Sequence, residues 1–490
     1  FHELDIPHSG FYAEGAGATF FGEYKKEELY KVVSFGERHG FKVFSWQFPN
    51  MTQELAQELL PECPKEELPI TRNKNDEEEK LPVYIDFSHP RAKELLAAQW
   101  KDRMDAGIRG SMVDFGDVVP DEAVFYDGRR GDEMHNAYAY QYAKNYRELF
   151  EQKYGDDHVL YTRGAAPGSQ HFACQFGGDQ LTSFQGLKYA IAGGLSAAAS
   201  GLPFWGVDAG GYDGFPDQET YLRWTEYAAF CPLMRFHGTE PREPWEYDAF
   251  TVKVYRYYTW LRENLRPYIV SVAAEAHKLG IPMMRPLAMM YPEDQEATKV
   301  WDEYLFGEDL LVAPVSDETE EREIYFPEGR WISLWNLNDE ISGPVQRSVE
   351  VPIDKIPVYI REGSFLPLRL NESLKLGESM SESETEMILA VVPQNDSIVK
   401  ETLYERSGAK TCCGMEKNGE TIQLQISGRT AELYVMLAGI HWKNTEAIVN
   451  GRTLTKVTAR EGLYFTEGYL ELEEGILVKI NPSAESVIKI

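Results

Sequence analysis

Over its first 280 or so residues the chain alternates short apolar runs with longer amphipathic ones, and this rhythm limits the possible folds more than any other feature. Strand-like runs occupy residues 41–46, 82–86, 109–114, 159–163, 172–176 and 202–207. Helical periodicity fills residues 27–39, 90–106 and 135–154. Parallel strands need crossovers of about a dozen residues or more, and such segments supply them. No Gly-rich phosphate loop follows any of the runs, so an α/β fold of the (β/α)8 TIM-barrel type fits better than a doubly wound sheet. The chemistry of such barrels sits at the carboxyl ends of the strands.

Beyond Gly280 the texture changes. Short alternating runs at 309–315, 323–326, 330–335 and 357–360, with turns about every ten residues, predict C-terminal antiparallel β-sandwich domains. A polar stretch at 379–386 marks a further boundary. The expected organisation is a catalytic barrel over residues 1–280, a proximal β-sandwich over 281–375 and a distal β domain over 376–490. Charge runs at 76–79 and 381–386 read as solvated loops, and the Pro- and charge-rich stretch at 60–80 as a surface insertion.

Composition narrows the partners. Lys+Arg 49 against Asp+Glu 79 leaves a net charge of −30, which argues against nucleic acid and anionic membranes. No run of 18 or more apolar residues is present, so no transmembrane span is expected. The five cysteines are odd in number and lack metal-ligand spacing. That pattern predicts no metal centre and a reducing, cytoplasmic setting. The chain opens at Phe1 with neither Met nor a signal peptide, so it is expected to be processed or a piece of something longer.

Three acids recur at strand ends, each beside glycine: Asp114 before Phe115-Gly116-Asp117, Asp179 after Gly177-Gly178, and Asp208 before Ala209-Gly210-Gly211. Taken singly, such an aspartate is a helix cap or turn former. Asp86, ahead of the helical run at 90–106, is read as a cap of that kind. Three acids within a few barrel units, all set among aromatics, weaken the bland reading. Two carboxylates are the minimum equipment for glycoside hydrolysis, one to attack the anomeric carbon and one to protonate the leaving oxygen. Carboxylates and protons suffice for this chemistry, so no cofactor is expected.

The segment Val113-Asp114-Phe115-Gly116-Asp117 resembles the nucleophile motif of glycoside hydrolase family 31, the α-glucosidase and α-xylosidase family. Phe176-Gly177-Gly178-Asp179 is similar to its acid/base motif, and Asp208-Ala209-Gly210-Gly211-Tyr212, Arg235-Phe236-His237-Gly238 and Arg242-Glu243-Pro244-Trp245 follow in register. The resemblance covers residues 1–370 and looks closest to bacterial α-xylosidase-like members. It implies a retaining exo-acting α-glycosidase with Asp114 as nucleophile and Asp179 as acid/base. Arg163 would sit beside this pair, His237 would bond sugar hydroxyls, and Asp208 would lie in the neighbouring strand-end network. Trp46 would be an aromatic platform, Phe176 would join the substrate-binding set, and Asp5 resembles a hydroxyl-gripping aspartate on the second strand. Taken singly, Trp46 reads as core, Arg163 as a structural ion pair and His237 as a structural histidine.

Two departures stand out. The family usually begins with an N-terminal β-sandwich and a first barrel strand, whereas this chain enters at the second strand. About seven strands are therefore expected, with an N-terminal complementing chain or missing segment as a partner; homo-oligomerisation stays open. The lysine that α-xylosidases carry two residues before the nucleophile is Met112 here. The expected substrate is a glycoside or oligosaccharide, an α-glucoside or α-xyloside first. α-Galactoside, sulfoquinovoside, transglycosylation and an inactive sugar-binding protein are the alternatives.

Overall fold

The structure, a computed structural model, describes residues 1–13, 26–72, 83–381, 386–394, 398–428, 432–438, 446–464, 466–472, 475–481 and 485–490. The charge run at 76–79 lies outside these residues, as do residues 382–385 of the run at 381–386. Two compact units divide the chain.

One unit holds residues 8–178 and 200–205. Its parallel strands lie in the order Gly10–Ala13, Lys42–Gln47, Gly110–Val113, Val159–Thr162, Cys174–Phe176. The register runs Ala13↔Ser45, Gln47↔Val113, Val113↔Thr162 and Thr162↔Gln175, so the carboxyl ends stay level across the sheet. Helices Lys26–Arg38, Ala92–Ala106 and Gly131–Tyr154 fill the crossovers. The longest helix is held by one aromatic row: Tyr138, Tyr142, Tyr146 and Phe150 recur every four residues, share one face and are all fully buried. Their hydroxyls are satisfied inside, Tyr138 donating to the Ile85 carbonyl (3.0 Å) and Tyr142 to the Gln47 carbonyl (3.2 Å). The run at 82–86 does not join the sheet; Val83–Tyr84 pairs antiparallel with Asn50–Met51. The stretch read as a surface insertion packs inward over its described part, since Leu60, Cys63, Leu68 and Ile70 are buried in the same core.

The other unit holds residues 1–7, 179–199 and 206–490. Two further parallel strands, Trp205–Asp208 and Leu233–Arg235, pair Asp208 with Arg235. Seven strands pair in parallel among the described residues, five in the first unit and two here. Helices Phe184–Ala199, Gln218–Ala229, Ala249–Asn264 and Arg266–Leu279 follow in this unit. A six-stranded antiparallel sheet comes next, in the order Met284–Pro286, Tyr304–Phe306, Leu310–Val312, Val358–Arg361, Glu321–Ser333, Asn336–Glu350. The runs at 323–326 and 330–335 prove to be one strand, with a register shift between Phe326 and Gly329. Pro327 and Gly329 flank that irregularity, as residues at a bulge do.

Two more six-stranded sheets bury a common core that includes Phe365, Val391, Leu424, Val435 and Val478. Their pairing is not wholly antiparallel. Glu386–Val391 runs parallel to Leu433–Ala438, because three strands of the facing sheet (Ile398–Tyr404, Lys410–Asn418, Thr421–Ser427) intervene in the chain and make the long connection a parallel pair needs. Gly475–Ile480 and Glu485–Lys489 then enter the interior of one sheet each, beside Leu433–Ala438 and Thr421–Ser427. All five cysteines are free thiols, and no described helix is long and apolar enough to cross a membrane.

Candidate active site

Asp114 follows the Gly110–Val113 strand directly, and its backbone N–H donates to the Gln47 carbonyl at 2.7 Å. That same carbonyl accepts the Tyr142 hydroxyl, so the buried aromatic row of the long helix fixes the point where two strands end. The Asp114 side chain is only 4% exposed. Its Oδ2 accepts from the Trp46 indole Nε1 (3.0 Å), and its Oδ1 from the Phe115 backbone N–H (2.9 Å). The Arg163 guanidinium lies 3.7 Å from Oδ1 and donates to Asp117 Oδ1 at 3.3 Å. Two donors and a cation are what a buried carboxylate requires to be tolerated.

The backbone around Asp114 is bent to achieve this. Phe115 adopts φ +56°, a left-handed conformation costly for a non-glycine residue, which turns its N–H back toward the preceding carboxylate. Its ring then lies beneath Arg163, 4.3 Å from the guanidinium carbon. Arg163 is confined from the other side by Gly178, at φ +73°, where a β-carbon would come within 2.8 Å of Arg163 Cδ. Trp46 and Phe48 pack at 4.7 Å between ring centroids, and Phe115 meets both edge-on. Met112, in the position of the α-xylosidase lysine, is buried and accepts a contact from the Tyr12 hydroxyl through its sulfur at 3.5 Å. Phe176 is buried, with its ring edge-on to Tyr161.

The remaining sequence-derived residues belong to the other unit. Asp208 is buried at the end of its strand and forms a two-pronged pair with Arg235, at 2.6 and 2.7 Å. His237 is half-buried, and its ring lies 5.1 Å from that of Tyr212. The loops bearing these two rings are tied together. Arg242 donates to the Tyr212 and Gly214 carbonyls at 2.5 Å each, Thr239 N–H donates to the Tyr212 carbonyl (3.0 Å), and Gly214 N–H donates to the Thr239 hydroxyl (3.0 Å). The Arg242 guanidinium lies flat against Gly238, where a β-carbon would fall 1.6 Å from Nε. Burial lowers the Arg242 pKa, the nearby Asp208 carboxylate opposing that effect. Asp179 is exposed and opens this unit's segment 179–199.

Sequence reasoning placed Asp5 on a strand; the structure does not. Asp5 follows the short His2–Leu4 helix, and the first described strand begins only at Gly10. Its carboxylate is engaged by Arg256, and its carbonyl accepts from Trp260 Nε1 at 2.8 Å. Asp86 is likewise not the cap of the Ala92–Ala106 helix. It holds a turn, accepting from Ser88 N–H (2.9 Å), the Ser88 hydroxyl (2.6 Å) and Tyr126 N–H (2.6 Å). Phe115, Arg235 and Arg242 were passed over as individual residues, although the motifs contained all three. Among the described residues no group of three or more His, Cys, Asp or Glu is placed to hold a metal ion.

Comparison with known proteins places this arrangement. The TIM-barrel domain of glycosyl hydrolases family 31 matches residues 17–272, and the C-terminal domain of the same family matches residues 280–366. The isomaltosyltransferase of Sporosarcina globispora is 32% identical over 430 residues, covering 82% of this chain and 39% of that protein. The alpha-xylosidase of Emericella nidulans is 32% identical over 294 residues, covering 58% of this chain and 38% of that protein. The chain thus spans about two-fifths of the length of these curated relatives. Among solved structures, the cycloalternan-forming enzyme from Listeria monocytogenes, in complex with pentasaccharide substrate, matches 100% of this chain and 52% of its own with a TM-score of 0.89 at 23% identity, a likeness of fold. With the barrel domain matched over more than half of its residues, the chain belongs to glycoside hydrolase family 31.

Proposed function

We propose that the protein acts on terminal α-linked glucosides by a retaining double displacement, with Asp114 as nucleophile and Asp179 as general acid and base. The observation that carries this reading is the buried Asp114 carboxylate, oriented by Trp46 and Phe115 and flanked by Arg163. A carboxylate held in one orientation by a donor at each oxygen is preorganised for attack. In the first step an Asp114 oxygen bonds to the anomeric carbon, the bond from that carbon to the leaving oxygen breaks, and Asp179 gives that oxygen its proton. In the second step Asp179 takes a proton from an incoming hydroxyl. The hydroxyl oxygen bonds to the anomeric carbon and the Asp114 ester breaks. The exposure of Asp179 suits a group that must exchange protons with incoming and departing molecules. An α-glucoside is favoured over an α-xyloside because Met112 is buried and uncharged where the α-xylosidase lysine would stand.

A second reading, transfer to a sugar rather than to water, is favoured by the relative named isomaltosyltransferase, which matches 82% of this chain. Incubation with a 5-fluoro-α-glucosyl fluoride, then peptide mass spectrometry, is expected to find the sugar esterified to Asp114. Asp114→Ala should lose at least about 10³-fold in turnover. A label on another residue, or an active Asp114→Ala variant, would refute the assignment. Product analysis with rising concentrations of a free α-glucan acceptor separates hydrolysis from transfer.

A further inference from the structure

The proximal sheet ends in a long hairpin of strands Glu321–Ser333 and Asn336–Glu350, and the second of these is an edge, paired on one side only. On the first strand the inward face is core: Ile324, Phe326 and Trp331 are fully buried. Their register partners on the edge strand are Arg347, Val345 and Ile341, so the same face passes from core into side chains that are exposed or half-buried. There it lines a cleft of about 610 Å³, within the range of small-molecule sites. Trp335 forms part of the wall, half-buried and pinned by a hydrogen bond from its Nε1 to the Ile356 carbonyl at 2.6 Å. Around it stand Asp339, Arg347 and Lys355, whose side chains make no hydrogen bond or ion pair among the described residues.

The chemistry of this cleft selects among ligands. Its carboxylates (Asp339, Glu340, Glu350) nearly balance its cations (Arg347, Lys355), so neither a strong anion nor a strong cation is favoured. The polar lining disfavours a lipid-like occupant. An indole beside solvent-facing donors and acceptors that have no protein partner among the described residues suits a neutral molecule with flat apolar faces and many hydroxyls. We infer that this cleft is a second, non-catalytic site for a stretch of an oligosaccharide chain. The choice of an α-glucan as its occupant rests on the proposed function; the cleft itself does not. Charged side chains on an edge strand also serve to block aggregation, and the experiment must separate the two roles.

Electrophoresis of the whole 490-residue protein through gels containing soluble dextran or starch reads binding without turnover. Retardation by at least one of these is expected, weakened about tenfold in Arg347→Ala/Lys355→Ala, roughly the loss of one charged hydrogen bond. The same variant should raise the KM for that polymer while leaving kcat/KM for a nitrophenyl α-glucoside unchanged. Trp335→Ala should behave alike; if it fails to fold, the double variant, which touches only exposed side chains, decides. Retardation that is absent in the parent protein, or equal in parent and double variant at equal melting temperature, overturns the inference. A parent protein retarded by glucan yet inactive on the aryl glucoside would sink the catalytic reading and leave the cleft standing.

Discussion

At Asp114, the proposed nucleophile, neighbouring groups hold one carboxylate in place. Trp46 donates to it across strands brought level by the Gln47↔Val113 register. Hydrogen bonds to charged groups are worth about 1.5–3 kcal/mol. Trp46→Phe keeps most of the ring and removes only the donor, so kcat/KM on an aryl α-glucoside should fall about 10- to 100-fold with little change in melting temperature. Unchanged kinetics would show that the bond is incidental. The place of Asp114 at a strand end was legible from the apolar run before it and Phe115-Gly116 after it. Asp5 and Asp86 were not, because their partners Arg256 and Tyr126 are remote in sequence and no local pattern announces them.

Between elements, glycine and arginine do the aligning. Gly178 leaves room for the Arg163 stem while holding a positive φ that other residues adopt only under strain. Gly178→Ala should cost about 1–3 kcal/mol of stability and lower kcat/KM, because the added carbon displaces the guanidinium from Asp114. Thermal unfolding together with kinetics would check both; a stable, fully active variant would show that Arg163 can move without consequence. Arg242 joins the loop after Asp208 to the one bearing His237 through two carbonyls at once, which a lysine cannot reproduce. Arg242→Lys should therefore raise KM about tenfold and change kcat much less, as expected for a residue that positions His237 if that histidine contacts the proposed substrate. Equal losses in both parameters would point instead to general unfolding. The helices Lys26–Arg38, Ala92–Ala106 and Gly131–Tyr154 and five strands of the parallel sheet were readable from periodicity. Gly10–Ala13 and Leu233–Arg235 were not.

On the scale of the molecule, burial of acids sets the response to pH. Burial pushes Glu226 and Glu303 up to about 8, outweighing Arg223 beside the first and Arg322 beside the second. Burial also raises Glu401 well above the carboxylate range, and Asp309, Glu308 and Glu275 add to the effect, with Arg285 the cation nearby. A carboxyl whose pKa is higher folded than unfolded contributes most below its unfolded value and loses that contribution as pH rises through the folded one. The melting temperature should therefore decline between pH about 5 and pH about 8. Glu401→Gln should raise it by ~2 °C at the upper end and leave it unchanged at the acidic end. A gain at acidic pH instead would refute the like-charge account. The sheets around Glu401 were foreseen as β-rich from alternation alone. Their mixed pairing was not, because alternation says which face a residue takes and nothing about which strand lies beside it.

The late entry of Gly475–Ile480 and Glu485–Lys489 into sheet interiors has a consequence for biosynthesis. Until those strands leave the ribosome, both distal sheets stand split down the middle, with apolar flanks such as Val435 and Leu424 open to other chains. Nascent protein of this kind depends on speed or on chaperones until these strands have emerged.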